Sequence, residues 1–324
     1  MISRRADAKN GKMSKTVDTD ETVLDNHGDI MRRTTPDGLG VRERAALEGQ
    51  NDMAGSEKSS SLFSQDRPRR PRPASQDAPL VHFRQPEDVW DNLRRFVPNA
   101  QVFEHQKMVS AARRDPAHVA FDVLRTRMTI ALKERGWTRV GITSPTSRCG
   151  KSFVAGNLAI SFSRQEELHT VLMDLDLNSP VQAQNFGLMN AGSMAEFLSG
   201  NRSVETHFQR PGQNLANIGT NLALGLNENR EMFGTELLQY PTAETAIDEA
   251  QALLDPDVML FDLPPTLDSD AAVAVSQYLD CVLLVVAGDR TKSEQIKESE
   301  RLLGEVVPIL GVVMNKSQGV LFSR

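Results

Sequence analysis

A glycine, a lysine and a serine stand between a short apolar segment and a helical pattern. The segment is residues 140–143, and the three residues are Gly150, Lys151 and Ser152. A glycine lets the backbone approach phosphate, a lysine ammonium neutralises the outer phosphates, and a serine hydroxyl can bind Mg²⁺. This order between a strand and a helix predicts a phosphate-binding loop. Its other candidate phosphate contacts are Thr146, Ser147, Arg148 and Cys149.

Acidic residues end two further apolar segments. Asp174 and Asp176 follow residues 170–173. Because side chains alternate along an extended chain, these two carboxylates lie on one side, which is unfavourable unless a cation sits between them. As an alternative, they are solvated loop acids or helix caps. Asp262 follows the apolar segment 258–261. An aspartate at the end of such a strand is typical of nucleotide-binding sites, where it reaches Mg²⁺ through water. Together with the lysine and the serine, the three acids favour binding of MgATP or MgGTP.

The elements that must position these residues alternate along the chain. The predicted strands are 140–143, 170–173, 222–226, 258–261, 282–287 and 310–314, and the predicted helices are 117–135, 194–198, 243–254, 271–279 and 293–306, with one more starting near Lys151. Strands that are apolar throughout need helices on both faces. We therefore predict an α/β fold of the P-loop NTPase type, with a doubly wound, mainly parallel sheet that binds its ligand at the carboxyl ends of the strands.

Charge and cysteine content exclude several classes of protein. The 324 residues include 37 Lys plus Arg and 43 Asp plus Glu, for a net charge of −6, and two cysteines. A negative net charge argues against a protein that binds nucleic acids generally, because such binding depends on an excess of positive charge. Two cysteines are too few for a disulfide framework. No segment approaches the roughly 18 apolar residues of a membrane span, and the start does not resemble a signal peptide. We expect a cytoplasmic protein without a membrane anchor of its own.

The uneven distribution of hydrophobic residues predicts three parts. Residues 1–90 are expected to form a disordered tail, residues 91–116 a linker, and residues 117–324 the nucleotide-binding domain. Within the tail, residues 67–73 alternate arginine and proline, a composition that favours extended polyproline II. The tail is either a solvated linker or a docking arm for an acidic partner or an anionic membrane surface.

Residues 117–316 resemble the cytoplasmic kinase domain of bacterial tyrosine kinases, within the ParA and MinD branch of P-loop ATPases. The matching motifs, in chain order, are Leu124-Arg125-Thr126, Ile142-Thr143-Ser144-Pro145-Thr146 with Gly150-Lys151-Ser152, Met173-Asp174-Leu175-Asp176-Leu177 with Pro180, Glu236-Leu237-Leu238, Phe261-Asp262-Leu263-Pro264-Pro265 with Asp270-Ala271, and Val313-Met314-Asn315-Lys316. The combination is specific, whereas each motif alone is not. The family accepts a proline at the position of Pro145.

This resemblance implies a set of ligands and roles. The nucleotide would be ATP, and the metal would be Mg²⁺. Lys151 and Ser152 would act at the phosphates and the metal. Asp174 would orient or deprotonate the attacking hydroxyl, and Asp176 and Asp262 would bind metal-bound waters. The implied partner is a membrane polysaccharide co-polymerase, or chain-length regulator, which would hold the protein peripherally at the inner membrane. Homo-oligomers are also implied.

Two residues admit two interpretations each. Asn315 lies where related ATPases contact the adenine ring, and a polar cap at the strand end explains it equally well. Cys149 is either a redox-sensitive thiol near a helix N-terminus or a small loop residue, and we favour the second.

Several positions depart from the family pattern. Arg148 replaces a loop glycine, so a positive φ at this position would strain the backbone. Cys149 replaces a common glutamate. The Glu-x-x-Arg-x-x-Arg oligomerisation pattern would fall on Val119, Asp122 and Arg125, and only the last of these matches. The tyrosine-rich tail that such kinases phosphorylate has no counterpart, since the chain has only two tyrosines.

Three functions fit these observations. The first, which the resemblance favours, is a MgATP-dependent, tyrosine-kinase-like phosphotransferase that regulates exopolysaccharide or capsule biosynthesis and export. The second is an ATPase switch of the same export machinery. The third is a nucleotide-binding scaffold with little turnover, suggested by Arg148. A partitioning ATPase is less favoured, because Thr146 occupies the place of its signature lysine.

Overall fold

A mainly parallel sheet organises the part of the chain that the computed structural model describes, namely residues 22–25, 30–31, 85–112 and 115–317. The strands are β1 (Thr22–Asp25), β2 (Ile30–Met31), β3 (Arg94–Phe96), β4 (Arg139–Thr143), β5 (Thr170–Asp174), β6 (Gln209–Pro211), β7 (Leu222–Gly225), β8 (Val258–Asp262), β9 (Cys281–Ala287) and β10 (Ile309–Ser317). The helices are α1 (Pro86–Asn92), α2 (Ala100–His105), α3 (Val109–Ala112), α4 (His118–Arg135), α5 (Lys151–Ser163), α6 (Gln182–Phe186), α7 (Met194–Leu198), α8 (Val204–His207), α9 (Gly234–Gln239), α10 (Pro241–Leu254), α11 (Ala271–Ser276) and α12 (Ser293–Gly304).

The strand order brings the carboxyl ends of the central strands to one edge. The order is β2-β1-β10-β9-β4-β8-β5-β7-β6-β3, and the pairs from β10 to β7 are all parallel. In the register of β5 and β8, Asp174 is directly opposite Asp262. The backbone alone therefore places two of the predicted acidic residues side by side.

Hydrophobic side chains fill both faces of this sheet. Val171 and Met173 belong to one buried cluster, and Leu172 between them belongs to the other, as the alternation of a strand requires. The first cluster includes Ile247 of α10, and the second includes Leu158 of α5. The predicted doubly wound α/β fold is confirmed, because helices cover both faces of strands that are apolar throughout.

All six predicted strands are present, and the predicted helices agree with the observed ones except near their ends. α10 begins earlier than predicted, at Pro241, because proline is well suited to the first position of a helix. α11 ends at Ser276 and α12 at Gly304, both shorter than predicted. None of the helices in the described ranges combines the length and the apolar character that crossing a membrane requires.

The segment predicted as a linker, residues 91–116, differs from that expectation wherever the structure describes it. Leu93 is buried in the first hydrophobic cluster, and β3 pairs in parallel with β6. Phe103 of α2 is buried and contacts Phe186 edge to face, with 6.2 Å between ring centroids. Folded structure therefore precedes residue 117. The buried residues of this segment, such as Leu93 and Met108, lie in or beside helices and a strand of only three to seven residues, which are too short to show a periodic pattern.

Only parts of the predicted tail belong to the described residues. β1 pairs in parallel with β10, and β2 pairs antiparallel with β1. Residues 85–90 contribute to α1 and its N-terminal cap. The rest of the predicted tail, including the arginine and proline segment 67–73, lies outside the described residues.

Candidate nucleotide-binding site

The loop between β4 and α5 has a backbone that only glycine adopts easily at its last position. Gly150 has a φ of 99° and precedes Lys151, the first residue of α5. A Cβ atom at this position would collide with the side-chain amide of Asn315. Gly150 is therefore required both by its conformation and by the close approach of β10.

The end of β10 holds two carbonyl groups of this loop. The Asn315 side-chain amide donates to the Cys149 carbonyl over 3.0 Å, and the Lys316 ammonium donates to the Arg148 carbonyl over 2.7 Å. Asn315 also accepts a hydrogen bond from the backbone N–H of Lys316 over 2.9 Å. These contacts favour the strand-end interpretation of Asn315, and its contact with adenine stays a prediction.

The Lys151 ammonium lies among oxygen atoms from distant parts of the chain. Its Nζ is 2.7 Å from Asp176 Oδ2 and 3.2 Å from Asp262 Oδ1, and it donates to Ser152 Oγ over 3.1 Å. Burial by itself lowers the pKa of Lys151, but the attraction of Asp262 and Asp176 outweighs it, so that the pKa lies above its usual value. The lysine is therefore charged and bridges the two carboxylates.

Two carboxylates at the end of β5 are buried with this lysine. Burial raises the pKa of Asp174 well above its usual value, and the nearby Asp262 raises it further. Burial also raises the pKa of Asp176, although the Lys151 ammonium opposes this change. Asp174 Oδ2 accepts hydrogen bonds from the backbone N–H groups of Val181 and Gln182, over 3.2 and 3.0 Å. Asp174 Oδ1 has no hydrogen-bond partner among the described residues.

The other predicted loop residues have different surroundings. Ser147 donates to the Asp268 carboxylate through both its backbone N–H and its hydroxyl. Cys149 is fully buried, and its Sγ lies 3.7 Å from Thr146 Oγ1 and 3.5 Å from Thr291 Oγ1. An enclosed thiol is inert compared with an exposed one, which favours the interpretation of Cys149 as a small loop residue.

Three residues of the site were given no role from the sequence, namely Gln182, Asp268 and Lys316, although Lys316 belongs to one of the family motifs. Gln182 donates to Asp262 Oδ2 over 2.8 Å, while the other two contact the loop. Glutamine, aspartate and lysine are common surface residue types, and their types alone do not indicate a role. Only their positions next to strand ends or a recognised motif could have suggested them.

Arg148 has the strained backbone that the missing glycine predicts, with a φ of 66°. We expect Arg148→Gly to stabilise the protein by up to about 1 kcal/mol, because the relief of left-handed strain exceeds the entropy that glycine adds to the unfolded chain. Arg148 is exposed, so Arg148→Ala removes the same side chain and keeps the strain. Urea denaturation of the three proteins measures the difference. Equal stability of the glycine and alanine variants would contradict the expectation.

Comparisons with known proteins agree with the motifs. No family model matches the chain. It is 30% identical to the putative tyrosine-protein kinase EpsB of Ralstonia solanacearum over 205 residues, which cover 62% of this chain and 26% of EpsB. It is 28% identical to the tyrosine-protein kinase YwqD of Bacillus subtilis over 196 residues, which cover 60% of this chain and 79% of YwqD. This chain is a relative of the bacterial tyrosine kinases. It spans about a quarter of the length of the EpsB proteins that it matches.

Solved structures agree on the fold of this relative of the bacterial tyrosine kinases. The kinase domain of the Escherichia coli tyrosine kinase ETK superposes with a TM-score of 0.59 at 22% identity, over 67% of this chain and 82% of that domain. The VpsO kinase domain gives a TM-score of 0.53 at 23% identity, over 62% of this chain and 96% of that domain. The predicted resemblance is confirmed.

Proposed function

We propose that this protein is a MgATP-dependent, tyrosine-kinase-like phosphotransferase that regulates exopolysaccharide or capsule biosynthesis and export. The observation that supports this most is the contact of the Lys151 ammonium with Asp176 and Asp262, at 2.7 and 3.2 Å, beside the Ser152 hydroxyl. A relative from Klebsiella pneumoniae carries the name putative tyrosine-protein kinase in cps region, and it is 25% identical over 217 residues. Core packing does not require one buried lysine beside two buried acids, whereas a MgATP site uses a lysine at the phosphates and acids near the metal.

Binding of the nucleotide would redistribute the charges of this cluster. The loop residues Thr146 to Gly150 would surround the phosphates, and the Lys151 ammonium would turn from the carboxylates to the outer phosphates. Asp176 and Asp262 would then be free to hold metal-bound waters, and the Ser152 hydroxyl would be a ligand of the metal. Within the described residues, no group of three or more His, Cys, Asp or Glu side chains is arranged to hold an ion alone. Phosphate and water oxygens must therefore supply most of the metal ligands.

Asp174 is the group that we propose to act on the attacking hydroxyl. A carboxylate whose pKa is raised by burial is a stronger base than an exposed one, so it accepts a proton more readily. Its Oδ2 is held by two backbone N–H groups, which leaves Oδ1 as the atom that would take the proton. When bound, Mg²⁺ would withdraw charge from the phosphates and favour the transfer.

The partner and the assembly state follow from the resemblance. The partner that we propose is a membrane polysaccharide co-polymerase, which would keep the protein peripherally at the inner membrane. Homo-oligomers are part of the same proposal, although Arg125, the matching residue of the oligomerisation pattern, is engaged within the chain. Its guanidinium donates to the Ser161 carbonyl over 3.0 Å and lies 3.2 Å from Asp122.

The second candidate is an ATPase switch, and the two tyrosines of the chain favour it. Tyr278 is buried, and its hydroxyl donates to the Leu238 carbonyl over 3.2 Å. Tyr240 is 57% exposed and is therefore the tyrosine that another copy could reach. A kinase with one accessible tyrosine must act mainly on other proteins, whereas a switch needs no accessible tyrosine.

Incubation with Mg²⁺ and ATP labelled at the γ-phosphate separates these candidates. The full chain is tested alone and with a synthetic Glu/Tyr copolymer as acceptor. Label on copolymer tyrosines supports the kinase, and any label on the chain itself should disappear in Tyr240→Phe. Free phosphate without labelled tyrosine supports the switch. Bound ATP without either product supports the scaffold and contradicts the proposal.

A further inference from the structure

Gln182, the first residue of α6, connects three parts of the candidate site. Its side-chain Nε2 donates to Asp262 Oδ2 and to the Ser152 carbonyl, each over 2.8 Å. Its backbone N–H donates to Asp174 Oδ2 over 3.0 Å. The residue is fully buried, so water does not compete for these hydrogen bonds.

The contacts of Gln182 leave its amide group one orientation. Both acceptors of Nε2, a carboxylate and a carbonyl, lack hydrogen atoms to donate, so the Oε1 atom cannot take the place of Nε2. Oε1 itself accepts a hydrogen bond from Asn185 Nδ2 over 3.2 Å. The two N–H groups of the amide are thus matched to two acceptors, and the side chain cannot rotate without losing both.

The Asp262 carboxylate is consequently held from two sides. Its Oδ2 accepts from Gln182, and its Oδ1 accepts from the Lys151 ammonium over 3.2 Å. If Lys151 turns towards the phosphates, Gln182 still fixes the plane of the carboxylate. Oδ1 then remains the free oxygen, at the place that the ammonium has left.

We infer that Gln182 is a positioning residue that aims one oxygen of Asp262 at the metal-bound water. The inference rests on the proposed binding of MgATP. A neutral amide suits this task, because Asp174, Asp176 and Asp262 already share one lysine, and a second charge would change the balance of the site. Hydrogen-bond partners of metal-binding groups typically change metal affinity by 10–100-fold when they are removed.

The test compares Gln182→Met, which cannot donate, with Gln184→Met, the same change at an exposed glutamine of α6. A fluorescent ATP analogue is titrated into the full chain in EDTA and at increasing Mg²⁺ concentrations. We expect Gln182→Met to need about tenfold more Mg²⁺ for the same affinity, with binding in EDTA unchanged within about twofold. Gln184→Met should behave as the unchanged protein does. An unaltered Mg²⁺ dependence in folded Gln182→Met overturns the inference.

Gln182→Asn supplies a second measurement, which also applies if Gln182→Met does not fold. Asparagine keeps an amide, but its side chain is one methylene shorter and does not reach Asp262 Oδ2 as Gln182 does over 2.8 Å. We expect Gln182→Asn to need several-fold more Mg²⁺ for the same affinity, with binding in EDTA unchanged within about twofold. An equal loss of binding with and without Mg²⁺ indicates a merely structural role and overturns the inference. If the unchanged protein itself does not bind the analogue with Mg²⁺, the proposed function fails instead.

Discussion

Lys151→Met is expected to lower ATP turnover by about 10²–10³-fold. The ammonium is the positive side chain that the structure places among Ser152, Asp176 and Asp262, and methionine has a similar length without charge or donor. Binding of a fluorescent ATP analogue and release of phosphate measure the effect. Lys133→Met, at an exposed position of α4, is the control and should leave both unchanged. Unchanged turnover in Lys151→Met would show that the loop does not bind phosphate.

The same substitution should destabilise the protein in a pH-dependent way. Without the ammonium, Asp176 and Asp262 are buried acids with no counter-charge, and loss of one member of a buried ion pair costs about 3–5 kcal/mol. The pKa of Asp176 is already raised by burial, and removal of Lys151 raises it further. An acid with a raised pKa binds more protons in the folded state, so stability falls as the pH rises.

Urea denaturation at two pH values measures this loss. The gap in unfolding free energy between Lys151→Met and the unchanged protein should be larger at high pH than near pH 3.8, where the raised pKa of Asp176 keeps this acid mostly protonated. Equal stability of the two proteins at high pH would contradict the assignment of Lys151 as the counter-charge of the site.

Asp174→Asn is expected to raise stability while removing turnover. The pKa of Asp174 is raised by burial and by Asp262, so the folded state keeps a proton that the unfolded chain releases above pH 3.8. Stability is therefore lost as the pH rises from 3.8 through the folded-state pKa of Asp174. Asparagine does not titrate, and its side-chain oxygen can still accept the hydrogen bonds from the backbone N–H groups of Val181 and Gln182.

Urea denaturation as a function of pH should show a flatter profile for Asp174→Asn than for the unchanged protein. Turnover should fall by about 10²–10⁴-fold with affinity for MgATP preserved, because the proposed role concerns the attacking hydroxyl and not the nucleotide. Asp88→Asn, at an exposed position of α1 outside the family motifs, is the control. If the unfolding free energy of Asp174→Asn depends on pH as steeply as that of the unchanged protein, Asp174 does not hold an extra proton in the folded state. If it keeps full turnover, Asp174 does not act on the hydroxyl.

The positions of the principal site residues could be predicted because they end strands. In a parallel sheet the carboxyl ends of the strands share one edge, so Lys151, Asp174 and Asp262 had to converge once their strands were recognised. The strain at Arg148 could be predicted for a similar reason, since a glycine position in a known loop implies a positive φ.

Contacts that depend on tertiary structure could not be predicted. Trp90 and Phe103 lie in α1 and α2, helices of 7 and 6 residues, which are too short to show a periodic apolar pattern in the sequence. Gln182 and Lys316 contact the site through their side chains, and the spacing of residues along the chain does not determine in which direction a side chain points. Asp262 lies 80 residues from Gln182, and Arg148 lies 168 residues from Lys316, so only the folded chain brings these partners together.

The hydrogen bonds from β10 make the loop before α5 dependent on residues far downstream in the chain. The Asn315 and Lys316 side chains hold the Cys149 and Arg148 carbonyls, which precede them by 166 and 168 residues. During synthesis, a nascent chain that has not yet released these two residues from the exit tunnel lacks both hydrogen bonds. The loop can therefore gain them only after the ribosome has made β10 and the strands that pair beside it.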